Sequence, residues 1–226
     1  MWAIKQFVNG IPFVGGVVRK VYYALKPVSG SRSYWEERYR KGGNSGVGSY
    51  GEFAEFKAEV INSFVTDNRI DSVMEFGCGD GNQVALANYP HYIGFDVSKT
   101  AVAHCRKMFA GDTTKSFHLL DEYSGQTADL ALSLDVIYHL IEDGVFEDHM
   151  RWLFDSATRF VVIYSSDTDE NRGYENSHIR HRKFTVWVQR NIKDWSLKQY
   201  VPNKRPFEGN NTKGSFADFY FFEKIC

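Results

Sequence analysis

The sequence predicts an α/β protein built on a doubly wound, mostly parallel sheet, and three observations carry that prediction. Short apolar runs alternate with amphipathic stretches from residue 71 onward, the pattern of strands joined by crossover helices. The first apolar run breaks into the glycine-rich turn Gly77-Cys78-Gly79-Asp80-Gly81, where backbone without side chains lets a ligand come close. After a last helix the tail holds two strand-like runs in succession, and without a crossover helix these must pair as antiparallel neighbours.

Length and composition set the frame. A chain of 226 residues can bury one sizeable core and is short for two. The expected organisation is a basic N-terminal extension over residues 1–33 followed by one domain over residues 34–226. Aromatic residues make up 16% of the chain, enough to line a cleft with flat side chains. The net charge of −1 gives no general attraction to nucleic acid, and no appended basic domain is visible, so nucleic acid is not the expected partner. Cys78, Cys105 and Cys226 have neither metal-type spacing nor the numbers of a disulfide framework, which points to a reducing, cytoplasmic location. There is no apolar run of about 18 residues, so no bilayer span is expected.

The elements follow in order. Val14, Val17, Val18, Val21 and Leu25 share one helical arc and Arg19, Lys20 and Lys26 the opposite one, which predicts a basic amphipathic helix over 12–26. Pro27 and the Ser/Gly stretch to Ser33 end it. Residues 1–27 have two readings, contact with an anionic membrane surface or packing on the domain or a second subunit; Gly15 and Gly16 weaken the helix as a free-standing element. Trp35, Arg38 and Tyr50 precede the first strand and are candidates for a lid. Phe53, Phe56, Val60, Ile61 and Phe64 have the spacing of a core-facing helix. Strands are predicted at 72–76, 91–95, 116–120, 128–134 and 159–165, and helices at 82–89, 99–109 and 143–157. A helix near 183–192 precedes the two final strands, 195–201 and 216–224.

The chemistry concentrates at the strand ends. Glu75 stands just before the glycine-rich turn, and Asp96 ends the second strand in Tyr92-Ile93-Gly94-Phe95-Asp96-Val97. A carboxylate at that place can accept both hydroxyls of a ribose. The spacing G-x-G-x-G departs from the dinucleotide pattern G-x-G-x-x-G. With these residues the sequence resembles the class I S-adenosylmethionine-dependent methyltransferases, over about residues 50 to 224. The resemblance implies a Rossmann-like, seven-stranded sheet with an antiparallel final strand, S-adenosylmethionine as cofactor, and methyl transfer. It also implies that Glu75, Gly77, Cys78, Gly79 and Gly81 form the cofactor turn and that Asp96 holds the ribose. Val97 would then pack on the adenine, Asp121 would lie near the adenine amino group, and Leu134 would offer backbone near the methionine end.

Residues just past the fourth and fifth strands face the ligand crevice of an open α/β sheet. They include Asp135, Tyr138, His139 and Ser166. His139, with Tyr138 beside it, is the candidate base for the proton an acceptor loses; the alternative is a histidine that caps or packs. The cluster His178-Ile179-Arg180-His181-Arg182-Lys183 reads either as a clamp for an anionic group or as a solvated approach to a helix. Tyr50, Asp135, Ser166, His178, Arg180 and His181 are thus the expected acceptor-side residues. No metal is assigned, although Asp135 and Asp167 stand where metal-dependent members of the fold place carboxylates.

The function expected is methyl transfer to an oxygen or nitrogen atom of a small-molecule or saccharide-type acceptor. Two rivals accompany it: a non-catalytic subunit that binds S-adenosylmethionine, and a nicotinamide-dependent oxidoreductase. The glycine spacing and the antiparallel tail argue against the second.

Overall fold

A computed structural model describes residues 30–172, 178–210 and 212–225. The helix predicted over 12–26, and with it the membrane contact of residues 1–27, lies outside the described residues. The first described helix, α1 (Ser31–Arg40), starts inside the segment assigned to the extension. Its start is held by Ser33 Oγ, which accepts the Gly30 N–H at 3.1 Å, and by Glu142, which accepts the Ser31 N–H at 3.1 Å. Near its end Glu37 pairs with Arg40 and Lys41, three and four residues on, where helical side chains meet.

Next come α2 (Gly51–Asp67), β1 (Ser72–Phe76), β2 (His91–Asp96) and α3 (Lys99–Met108). They are followed by β3 (Lys115–Leu119), β4 (Ala128–Leu134), α4 (Asp143–Ser156) and β5 (Ala157–Ser165). The chain closes with α5 (Phe184–Asn191), β6 (Trp195–Val201) and β7 (Asp218–Lys224). The strands form one seven-stranded sheet in the order β3-β2-β1-β4-β5-β7-β6. β1 to β5 run parallel, and β7 lies antiparallel to both β5 and β6. The fold class and the antiparallel pairing of the tail are therefore as expected.

Both faces of the sheet are buried, as crossover helices require. Alternation along each strand divides the core: Val73, Leu130 and Val162 face one apolar cluster with Phe64 of α2, while Met74, Ala131 and Val161 face another with Met150 of α4.

One predicted element is corrected. The helix expected over 82–89 is only a 3₁₀ turn, Val84–Leu86. Asparagines account for the difference, because their side chains compete for backbone partners. Asn82 Nδ2 donates to Ser49 O at 2.6 Å, and the Asn88 N–H donates to Asn62 Oδ1 at 2.9 Å. Pro90 also disfavours helical backbone at Tyr89. The glycine-rich turn is therefore not followed by a helix N-terminus with free N–H groups.

Candidate functional site

The strand order reverses between β1 and β4, so the crevice beyond their carboxyl ends is where an open α/β sheet binds ligands. Gly77, Gly79 and Gly81 all take positive φ there, at 92°, 59° and 82°. A Cβ on Gly77 would stand 2.5 Å from a Val136 methyl, and one on Gly79 would stand 2.4 Å from Ser45 Oγ. These two positions thus need glycine for both conformation and space.

Asp96 is buried against this turn. One carboxylate oxygen accepts the Gly79 N–H at 2.9 Å and the other the Ser98 N–H at 2.8 Å. Burial pushes its pKa up to about 6, against the pull of those N–H groups. Glu75 lies inside the sheet, accepts the Tyr92 hydroxyl at 2.6 Å, and is pushed up to about 7, again mainly by burial. Cys78 and Cys105 are buried free thiols beneath the turn, and Cys105 Sγ donates to Gly79 O at 3.3 Å. Their mutual hydrogen bond, then burial, pushes the Cys78 thiol up. Leu134 ends β4 and is buried; Val97, between Asp96 and Ser98, is partly covered.

Helix α1 roofs this crevice. Its Glu36 accepts from Ser98 Oγ and Thr100 Oγ1, both at 2.7 Å, just past β2. Arg32 grips Asp121 past β3 with two bonds of 2.9 and 2.5 Å. Ser31 Oγ donates to Glu142 at 2.8 Å, and Tyr39 hydrogen-bonds Ser45 at 2.9 Å. The segment after α1 is stitched to the glycine-rich turn through Asp80, whose carboxylate accepts the Ser45 N–H and the Tyr50 hydroxyl, each at 2.8 Å. Trp35 and Tyr50, read from sequence as lid candidates, both sit in this cover. An open concavity of about 430 Å³ is lined by Arg38 of α1, by Asn44, Val47 and Tyr50 of the segment after it and by Phe53 of α2, and Asp96 is not part of its lining.

On the other side of β1, Asp135 follows β4 in left-handed backbone at φ 59°. It pairs with Lys57 at 2.6 Å and accepts the Tyr138 hydroxyl at 2.7 Å. Tyr138 is buried, and burial followed by the charge of Asp135 pushes its pKa well up, so the hydroxyl serves as a donor to Asp135. His139 ends the 3₁₀ turn Ile137–His139, stacks on His178 with ring centres 5.0 Å apart, and meets the edge of Trp35 at 5.0 Å. Tyr34 covers the other face of His178 at 4.4 Å. His139 Nδ1 lies 3.2 Å from His178 O. A carbonyl only accepts, so Nδ1 carries the proton and Nε2 is the basic nitrogen. Burial pushes the His139 pKa down to about 4, which keeps the ring neutral at pH 7.

The basic cluster is not gathered into an anion clamp. Arg180 donates to Ile141 O at 2.9 Å and pairs with Asp143; Arg182 donates to Leu140 O and Ile141 O and also pairs with Asp143. Both arginines hold the loop before α4, whose free carbonyls attract them. His181 is buried and bonds Ser166 Oγ at 2.6 Å, which makes that pair part of the crevice wall. Asp167 caps α5 by accepting the Thr185 N–H at 2.9 Å and hydroxyl at 2.6 Å. It therefore has different partners from Asp135.

Sequence reasoning missed Glu36, Arg32 and Lys57. The first two act across 62 and 89 residues of chain, beyond any local pattern. Lys57 had a signal: it stands four residues from both Phe53 and Ile61, on the apolar face of α2, where a lysine needs a buried partner.

No protein-family model and no curated protein matches the sequence. Solved structures do match in fold. N-methyltransferase NodS from Bradyrhizobium japonicum WM9, in complex with S-adenosyl-L-homocysteine, superposes with a TM-score of 0.64 at 13% identity, covering 87% of this chain and 99% of that one. Magnesium protoporphyrin IX methyltransferase (ChlM) from Synechocystis PCC 6803, with bound S-adenosylhomocysteine, gives 0.61 at 13% identity, covering 85% and 97%. The methyltransferase domain of the bacterial CtHen1-C gives 0.57 at 16% identity, covering 75% and 97%. The fold of this chain is the Rossmann-like fold of these methyltransferases.

Proposed function

We propose that this chain binds S-adenosylmethionine and transfers its methyl group to an oxygen or nitrogen atom of a small-molecule or saccharide-type acceptor. The observation that carries the reading is Asp96, a buried carboxylate at the end of β2 facing the glycine-rich turn of β1. An ionised carboxylate has about four acceptor positions. The Gly79 and Ser98 N–H groups take one position on each oxygen, the Val97 N–H also acts on the carboxylate, and the remaining capacity is open to the hydroxyls of a ribose. Gly77 and Gly79, where a side chain would collide, leave backbone bare beside that carboxylate, as a bound nucleoside needs. The residues present therefore fit the cofactor. Asp121 and Val97 lie at the adjoining strand ends, where an adenine would extend.

When bound, the cofactor supplies an activated methyl group on a sulfonium sulfur. The protein's part is alignment, which can lower a barrier by about 7–11 kcal/mol when the reacting atoms are held in line. Asp135 offers acceptor capacity for the O–H or N–H of the incoming molecule. His139, neutral with Nε2 basic, takes up the proton that the acceptor loses. Helix α1, held over the strand ends by Glu36 and Arg32, keeps water from the crevice and must part from them to admit a ligand. The neighbouring structures include an N-methyltransferase and a magnesium protoporphyrin IX methyltransferase, so this fold by itself does not select an acceptor.

Thermal shift with S-adenosylmethionine, S-adenosylhomocysteine and NAD tests the reading. A ligand at 100 times its Kd stabilises by about 2.7 kcal/mol. Stabilisation by the two adenosyl-sulfur ligands and not by NAD is expected, and stabilisation by NAD alone would sink the proposal. Transfer of labelled methyl groups to a panel of hydroxyl and amine acceptors then tests the second half.

A further inference from the structure

Lys57 is a charge that the reading above leaves without a task, and it is 1% exposed. Its Nζ lies 2.6 Å from Asp135 Oδ2 and 5.2 Å from the ring centre of Tyr164. Tyr138 engages the other Asp135 oxygen at 2.7 Å, and the Asp135 N–H donates to Tyr164 O at 2.9 Å. A non-glycine residue at φ 59° is held there only when its surroundings over-determine it. Gly48 packs against the same carboxylate, for a Cβ on it would stand 2.9 Å from Oδ2. Of the other titratable groups nearby, Glu75 feels the charge of Lys57 but has its own donor in Tyr92. His139 is the remaining one, and it is neutral at pH 7.

We propose that Lys57 is a positioning residue that balances the charge of Asp135, so that the acceptor atom enters this crevice as an uncharged hydroxyl or N–H and not as an ammonium ion. The inference rests on the methyl-transfer reading. Lys57 and Tyr138 occupy two of about four acceptor positions on the carboxylate, which leaves capacity for a neutral donor. An ammonium ion would have to shed its water without gaining an unpaired counter-charge, and desolvation without compensation is unfavourable. A neutral amine or hydroxyl also keeps the lone pair that a methyl acceptor must use.

The experiment needs no acceptor. Calorimetry at pH 7.5 compares S-adenosylhomocysteine, which carries no net charge, with two singly cationic ligands: S-adenosylmethionine and sinefungin, which has an amine-bearing carbon in place of the sulfonium. In Lys57→Met, Asp135 loses its counter-charge, and the preference for both cationic ligands should rise at least tenfold over the wild-type protein. In Asp135→Asn the ammonium of Lys57 is unopposed, and the preference should fall at least tenfold. Lys57→Arg, which keeps the charge, should stay within about threefold of wild type. A lysine that only supports the fold would weaken all three ligands alike. Unchanged preferences, or shifts of the same sign in Lys57→Met and Asp135→Asn, overturn the proposal; if Lys57→Met does not fold, Asp135→Asn decides alone. Wild-type protein that binds none of the three ligands would overturn the cofactor reading as well, which separates the two failures.

Discussion

Replacing Asp96 by asparagine should weaken S-adenosylmethionine binding while leaving stability at neutral pH almost unchanged, and the opposing magnitudes follow from the site. The folded-state pKa of about 6 stands above the ordinary 3.8, so between those values the native state holds a proton that the unfolded chain has released. Stability from this group is therefore unaffected below about pH 4 and falls as pH rises towards 6. At about 1.4 kcal/mol per unit, the full cost above pH 6 is about 3 kcal/mol. Asparagine removes that cost. It also loses one backbone bond, because Gly79 and Ser98 donate to different oxygens and an amide has one; an unsatisfied buried N–H costs about 1–3 kcal/mol. The two effects nearly cancel at pH 7.5, whereas at pH 4 only the loss remains. Urea denaturation at both pH values reads this difference. For the cofactor, lost charge-assisted hydrogen bonds of about 1.5–3 kcal/mol each predict a tenfold to hundredfold weaker Kd at pH 7.5. Wild-type affinity should fall up to about fivefold from pH 6 to pH 5 as Asp96, with its pKa pushed up to about 6, takes up its proton, and the variant should lack that slope. Calorimetry showing a wild-type Kd independent of pH between 5 and 8, or the same slope in both proteins, would refute the assignment of Asp96 to the ribose.

Three further outcomes are expected. His139→Ala should lower single-turnover methyl transfer at least about tenfold with cofactor affinity within about threefold, since a base acts in the transition state; with its pKa pushed down to about 4, the wild-type rate should show no acidic limb near pH 6.5 from this residue. Gly79→Ala places a Cβ 2.4 Å from Ser45 Oγ at a φ of 59°, so urea denaturation should show a loss of about 1–3 kcal/mol of stability, and Ser45→Gly in the same chain should not restore it, because Ser45 Oγ also bonds Tyr39 and the Asp80 N–H. Glu36→Gln weakens the hold of α1 on Ser98 and Thr100; amide exchange of residues 31–40 should speed up several-fold while that of the β1 and β4 strands stays unchanged, and equal exchange in both proteins would show that Glu36 does not hold the cover.

The contrast between these residues shows what was legible in the sequence. Strand alternation, the glycine-rich turn and the acidic end of β2 are local, since each is fixed by neighbours two to four residues away through side-chain period and backbone freedom. They sufficed for the sheet, its antiparallel tail and the position of Asp96. The segment 82–89 misled because its apolar spacing is helical, while its asparagines found partners in Ser49 and Asn62 that no local pattern reveals. For Arg180 the sequence left an anion clamp and a solvated helix approach equally open, and only the fold shows that it bonds the carbonyl of Ile141 and the carboxylate of Asp143.

The sequence by itself determined the fold class, the place of the crevice and the residue types at the strand ends, because period and turn chemistry act over a few residues. Only the tertiary structure decided which charges face one another: Glu36 over Ser98, Arg32 on Asp121, Lys57 on Asp135. Those pairings join elements 62, 89 and 78 residues apart. Charge and hydrogen bonding act through space over a few ångströms, and distance along the chain says nothing of that separation until the sheet has folded.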